Sequence, residues 1–527
     1  MRGSFFRSMT WLHTWAGLLT CWLLFLVFFA GTLSYFRHEI TWWMQPQSHG
    51  LKPVDYTQHA AGLSRALNLL NERAPDATSW VIDLPTERQP LLHWRYREAA
   101  PPGERRASVV KGYLSVDGDT QWAALLDTKG GEFFYRLHFD LHYISPMTAR
   151  WVVGAAAMVM LVGLITGLVI HRRIFADFFT FRAGKGAKTW LDLHNLSAVF
   201  ALPFHLMITY TGLLTLMFMY MPAPVEKVYP GGMAGFFSDQ NPTFKPVARA
   251  GQPLSQPVDW QQLIGHFKDN KELAAISRIS IDNPADINAR ITLYGKADGV
   301  IAHYARASLY DASGEVLGTT REAQFYAAER TANTMIALHT AQFSPWSLRW
   351  LFVVGGILGC VMVASGGILW ARRLVEKNLR LGRPPGWNLR LVQGMNLATV
   401  VGLPLSAMVF LYLNRLLPAG LDARAEWEIN GFFISFALTL VLALIRADHK
   451  SWALGWLLVA AMALALPMVN AMTTNYHLIA YLQSRQWPLA ALELCVMLGG
   501  IVALWGAACC AKSASSAPGQ SRSEAYC

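Results

Sequence analysis

Two histidines inside one apolar run are the residues of this chain best placed to do chemistry. Residues 191–214 read LDLHNLSAVFALPFHLMITYTGLL, a run long enough to cross a bilayer that carries His194 and His205, eleven positions apart. On one continuous helix that spacing turns both imidazoles to nearly the same face, roughly 16 Å apart in depth. An ionisable side chain inside a membrane helix is costly and points to a function by default. Stacked imidazoles suit a metal or haem iron, whereas a lone histidine more often packs with one hydrogen-bond partner.

The flanking sequence repeats. Leu12-His13 precedes Gly31 by eighteen residues, and Leu193-His194 precedes Gly212 by the same eighteen. Leu141-His142, Ser145-Pro146 and Arg150-Trp151 lead into one apolar span as Leu338-His339, Ser344-Pro345 and Arg349-Trp350 lead into another. One unit is therefore used twice. The repeat makes His13 the equivalent of His194 and His142 the equivalent of His339, while His205 is unmatched, with Leu24 at its place. His138, one turn before His142, is an alternative ligand or a supporting group. Two facing neutral imidazoles make a low-spin electron-transfer centre, of the kind helix bundles build from facing helices. The six cysteines form no CxxC or CxxCH pattern, so a haem here would be b-type, held by histidine alone. Gly163, Gly167, Gly355, Gly359 and Gly366 are read either as room for a porphyrin or as ordinary helix contacts. His171, beside Arg172-Arg173, is expected at the headgroups.

The elements that must position these groups follow from composition. The chain has 527 residues, 53% hydrophobic and 15% charged, against about 25% charged in soluble domains, so it is a polytopic membrane protein. Its net charge of +11 concentrates in basic runs directly after apolar spans, where cytoplasmic loops collect Lys and Arg; nucleic acid is not an expected partner. The expected order is a first span (1–36), a hydrophilic segment (37–148), spans two and three with a basic cytoplasmic loop (149–220), a second hydrophilic segment (221–348), a fourth span (349–373), four further spans (374–511) and a polar tail (512–527). Both termini are placed in the cytoplasm. The fold class is an all-α membrane bundle of about eight spans with two small α+β domains on the far side. Those domains are read as helices at 57–72 and 257–273, strands near 80–84, 91–96, 275–281, 289–294 and 303–310, and a hairpin-like turn at 127–131.

The strings LH…SPxxxRWxxG…TGLxxHRR, LDLHN…ALPFHLMITYTGLL and LH…SGGxxWxRR resemble the PepSY-associated transmembrane family over residues 1–373, and the hydrophilic segments look like PepSY-type domains. The resemblance implies a di-haem b reductase of ferric siderophores in the bacterial inner membrane, releasing Fe(II) for iron uptake. It implicates His13 and His194 for a cytoplasmic-side haem, and His142, His339 and His205 for a periplasmic-side haem, one of those three having another role. No GxGxxG or P-loop stands in a strand-to-helix context, so the electron donor is expected to be quinol or a cytoplasmic flavoprotein. The four C-terminal spans depart from the family pattern. Two rival readings remain: a haem-free permease or assembly protein with PepSY-like binding domains, and a haem electron donor to another periplasmic acceptor.

Overall fold

The computed structural model describes residues 2–49, 59–86, 88–100, 108–114, 125–171, 181–182, 184–240, 247–254, 258, 276–295, 301–303, 306–321 and 327–515. The helix expected at 257–273, the pair Arg172-Arg173 and the tail beyond 515 fall outside these. In chain order the elements begin α1 (Arg2–Ser34), α2 (Arg37–Met44), α3 (His59–Arg73), β1 (Ser79–Asp83), β2 (Leu92–Arg97) and β3 (Val109–Leu114). There follow α4 (Gly131–Asp140), α5 (Pro146–Ile170), α6 (Ala187–Phe200), α7 (Leu202–Thr215), β4 (Ile276–Asp282), β5 (Arg290–Gly295), β6 (Arg306–Tyr310) and β7 (Val316–Arg321). The rest is helical: α8 (Ala327–Thr340), α9 (Trp346–Arg380), α10 (Trp387–Leu416), α11 (Arg424–Ile445), α12 (His449–Thr474), α13 (Leu478–Gln483) and α14 (Trp487–Ser515). Contacts divide the chain into two compact units, Met1–His49 with Leu126–Leu213 and Ser344–Cys527, and Gly50–Leu125 with Leu214–Phe343.

The first unit is the membrane bundle. Among the described residues seven helices are long and apolar enough to span, and the pair α6–α7 makes an eighth if counted as one span. Large apolar side chains such as Leu438, Val441, Ile445, Ile501 and Trp505 are exposed on α11 and α14, as lipid-facing surface requires. The third span is not the straight helix assumed from sequence. It breaks at Ala201, and α6 and α7 meet at 68°. Pro203 supplies the cause: it has no amide hydrogen to donate and its ring crowds the carbonyl four residues back. Pro404 disturbs α10 more gently, behind a π-helical turn at Ala398–Gly402 that absorbs the missing bond.

Close packing around α1 follows from glycine. A Cβ at Gly359 of α9 would stand 2.5 Å from the Phe28 ring, and one at Gly355 2.6 Å from Phe204, so these glycines serve helix contact. The repeated SPxxxRW string proves to be a helix start plus an anchor. Ser145 caps α5 by accepting from Thr148 N at 3.2 Å, with Pro146 in the first turn. Arg150 then donates to Asp140 at 2.8 Å, and buried Arg349 lies 3.7 Å from buried Glu39 of α2. Residues 127–131, expected to turn a hairpin, instead lead into α4. That short amphipathic helix seats Phe133 against Phe410 (4.9 Å) and Phe432 (5.1 Å).

The C-terminal helices carry charge where almost none is expected. Arg424, Glu428, Asn470 and Glu493 are fully buried. Glu428 accepts from Arg424, Asn414 (2.8 Å) and Thr128 (2.5 Å). Arg415 reaches Asn414 (2.5 Å), Asn470 (2.7 Å) and the Trp43 carbonyl, with its guanidinium 3.7 Å from the Trp43 ring. Asn470 and Trp43 in turn donate to Glu493. One connected network thus fastens α2 to α10, α11, α12 and α14.

The second unit holds a seven-stranded antiparallel sheet in the order β3-β2-β1-β4-β5-β6-β7. The two hydrophilic segments, expected as separate small domains, share it: β1 pairs with β4, Asp83 opposite Arg278. Each segment alone would leave an open edge, and edges seek partners. One face buries Trp80, Ile82, Leu92, Ile279, Ile281 and Leu293 together with Leu63 and Leu70 of α3. On the other face Asp83 joins Arg95 (3.0 Å), Arg278 (2.5 Å) and His93 (3.5 Å) across the seam. Burial pushes the Asp83 carboxyl up, but His93 and the two guanidinium groups outweigh it and hold the group well below the usual carboxylate range.

Two outcomes are expected. Glu428→Ala strands Arg424 in the bundle and should cost about 3–5 kcal/mol, read as earlier thermal unfolding in detergent, with less loss in the Glu428→Ala/Arg424→Ala double variant. Asp83 stabilises the sheet fully above its unfolded value of about 3.9, and this is lost as pH falls through its lower folded value; Asp83→Asn should remove that part of the acid dependence of unfolding.

Candidate metal centre

His13 on α1 and His194 on α6 meet across a cavity of about 600 Å³ in the first unit, walled mainly by apolar side chains of α1, α5, α6 and α9. Their ring centroids are 6.2 Å apart, with the planes at 73°. Each ring is held in the same way. His13 Nδ1 lies 2.9 Å from the Gly163 carbonyl and 3.2 Å from Thr166 Oγ1; His194 Nδ1 lies 2.7 Å from the Met362 carbonyl. A carbonyl only accepts, so Nδ1 carries the proton in both rings and Nε2 keeps its lone pair. This is the orientation in which histidine binds a metal, its other nitrogen fixed from behind.

The two supports are counterparts. Gly163, Thr166 and Gly167 on α5 each correspond to a residue 199 positions on, Met362, Ser365 and Gly366 on α9, the interval that separates Ser145-Pro146 from Ser344-Pro345. Thr166 and Ser365 turn their hydroxyls back onto the same carbonyls that hold the imidazoles, at 3.0 Å in each case. A Cβ on Gly366 would stand 3.2 Å from the His194 ring, and one on Gly167 3.4 Å from the His13 ring. These two glycines therefore leave room for imidazole, while Gly17 and Gly163 face open space in the cavity wall. Arg182 forks onto Asp192 at 2.6 and 2.9 Å, tying the segment that precedes α6 to the helix two residues before His194.

The donor set can be tested against what it could hold. Imidazole–metal bonds of about 2.0–2.1 Å, one to each ring, set centroids about 6 Å apart, which the observed spacing meets. Among the described residues no group of three or more His, Cys, Asp or Glu side chains gathers as a metal cage. A bare ion would be short of ligands, whereas a haem brings its in-plane nitrogens and needs only the axial pair. The pair and its apolar cavity fit a b-type haem.

The remaining histidines are placed less simply. His205 on α7 is fully buried between Phe28 (5.8 Å) and Phe204 (5.9 Å), and neither ring nitrogen makes a hydrogen bond of standard geometry. The bend at Ala201 removes it from the face of a straight helix it was expected to share with His194. His138 lies in the last turn of α4, beside Tyr135 (5.7 Å) and Phe139 (5.0 Å), 4.0 Å from where a Cβ on Gly31 would be. His142 lies beyond that helix in left-handed backbone. Its ring stacks on Phe433 (5.6 Å), and Nε2 is 4.0 Å from Glu426, so α11 engages it. His339 belongs to the second unit, in the last turn of α8. In local structure His339 resembles His138 more than His142, since each lies in the last turn of a short helix just before a left-handed residue, Leu141 or Ala341. His171, expected at the headgroups, lines the cavity with His13 and His194, as do Arg373 and Asn195. Only the Arg-rich end of the span hinted at that polar rim.

Comparison with known proteins follows this geometry. The family described as the PepSY-associated TM region matches residues 10–373, more than half of the chain and all four repeat-bearing spans. An uncharacterised protein of Pseudomonas aeruginosa is 26% identical over 382 residues, covering 70% of this chain and 92% of its own length.

If Gly366 exists to clear His194, Gly366→Leu should displace the ring and weaken uptake of added iron protoporphyrin by about tenfold or more, titrated by visible absorbance. Gly499→Ala, at an exposed position of α14 with nothing within 4 Å and away from the cavity, should leave the titration unchanged.

Proposed function

The chain belongs to the PepSY-associated TM region family, and on that premise we propose that it is a bacterial inner-membrane b-haem reductase. It passes electrons across the membrane to a periplasmic ferric siderophore and releases Fe(II) for uptake. The observation that carries this reading is the facing pair His13 and His194, each with Nδ1 spent on a helix carbonyl and Nε2 left to ligate. A haem held by these two imidazoles would supply one-electron transfer.

The chain's own residues do the rest. Gly163 and Met362 hold the imidazole protons, Gly167 and Gly366 set the rings back, and the apolar wall keeps water from the centre. Arg373 gives the cavity rim a cation suited to acidic substituents, with His171 beside it among the lining residues. His205, buried with neither nitrogen in a hydrogen bond of standard geometry, is the strongest candidate to ligate a second haem, with His138 packed on the neighbouring helix α1. Hard oxygen donors hold iron(III) far more tightly than iron(II), so a single electron loosens the chelate. The donor is external, a quinol or a cytoplasmic flavoprotein. In this arrangement both termini are cytoplasmic and the sheet-bearing unit is periplasmic.

A second reading has one observation in its favour. Buried charges in membrane helices often mark ion paths, and Arg415, Arg424, Glu428 and Glu493 would serve a haem-free permease.

Reduced-minus-oxidised visible spectra of the detergent-purified protein separate the two. The reductase reading expects two b-type haems per chain, with His194→Ala losing one and His205→Ala affecting the other. Protein that folds and carries no haem would transfer the weight to the permease.

A further inference from the structure

The face of the sheet opposite its apolar core is organised by the register of five strands. Paired residues project to the same side, so three rows can be read across β3, β2, β1, β4 and β5. The first row is Val109, Arg97, Ser79, Asp282 and Arg290; the second is Lys111, Arg95, Val81, Ser280 and Thr292; the third is Tyr113, His93, Asp83, Arg278 and Tyr294. Within these fifteen positions cations outnumber carboxylates five to two, and beyond the first row Asp311 adds a third carboxylate that interacts with Arg290. Asp83 is already committed to Arg95 and Arg278. Arg97, Lys111 and Arg278 are exposed, and the other ring-bearing and charged members are part-exposed or exposed.

We propose that this face docks an anionic iron(III) chelate of the tris-catecholate class. The identity of the cargo rests on the reductase reading; the site itself rests on charge and shape. An iron(III) tris-catecholate is a polyanion bearing planar aromatic rings, whereas a tris-hydroxamate is neutral. Guanidinium groups match both features, because they pair with anionic oxygen and stack on flat rings. Tyr113, stacked on His93 at 4.8 Å, and Tyr294 across the seam stand at the two ends of the third row, beside the cations. A lipid surface would call instead for a fringe of exposed apolar side chains, and of the residues in these rows only Val109 answers. The β1–β4 pairing makes the surface continuous, since Arg95 and Arg97 come from one hydrophilic segment and Arg278 and Arg290 from the other.

The test uses the full-length purified protein, oxidised and without an electron donor, with haem assayed separately. Equilibrium dialysis against an iron(III) tris-catecholate should show binding that weakens with salt. Arg97→Glu/Lys111→Glu should weaken it by about tenfold or more, and the milder Arg97→Gln/Lys111→Gln pair by less, with circular dichroism unchanged in both. A neutral iron(III) tris-hydroxamate should bind more weakly and be indifferent to the substitutions. Equal binding by parent and variants, or equal affinity for the neutral chelate, would overturn the proposal. So would binding to phosphatidylglycerol vesicles but not to the chelate. Chelate binding by protein without haem would defeat the reductase reading alone; haem without chelate binding would defeat this inference alone.

Discussion

An imidazole that enters an apolar helix bundle loses water from both nitrogens, and something must replace it. His13 and His194 meet this with the second lone pair of a helix carbonyl, Gly163 and Met362. A side chain can reach that oxygen only if the neighbouring helix comes very close, so the residues around the carbonyl must be small. Glycine at 167 and 366 and a compact hydroxyl at 166 and 365 follow from this one demand. The spacing of α1 on α5 and of α6 on α9 is set by the same bond. The cavity exists because those helices are held by imidazoles instead of being zipped together by larger side chains.

The C-terminal helices face the same demand with full charges. Their arginines and glutamates are taken out of water in pairs and backed by amides, which keeps the cost of burial bounded. The family match ends at residue 373, yet the network reaches back to Trp43 on α2 through Arg415 and Glu493. The extension is therefore keyed into the repeat-bearing part, and α2 has polar partners on both sides: Glu39 with Arg349 and Trp43 with Arg415.

Much of this was legible in the sequence where the signal is local or periodic. Long apolar runs gave the spans, and the eighteen-residue interval paired His13 with His194 before any coordinate did. Alternation in 80–84 and 91–96 located β1 and β2. What escaped depends on single residues or distant partners. Pro203 sits in a run whose hydropathy never falls, so the bend at Ala201 left no trace in composition. His142 and His339 both follow a leucine close before Ser-Pro, yet α4 ends at Asp140 and leaves His142 outside it, whereas His339 lies inside α8. The amphipathic stretches that form α4 and α8 are too short to stand out. Nothing local in β1 or β4 announces that each is the other's neighbour.

That neighbour relation bears on how the protein is made. Asp83 and Arg278 are 195 residues apart in the chain, so β1 waits for its partner while α4 to α7 are synthesised. Sheets closed by such distant pairings form late, because the loop entropy must be met before any contact rewards it. During translation the first hydrophilic segment is a three-strand fragment with an unprotected edge, the state in which nascent β-structure is most open to mispairing. The order of synthesis thus makes the sheet a checkpoint: it closes only after the helices bearing both cavity histidines have emerged from the ribosome.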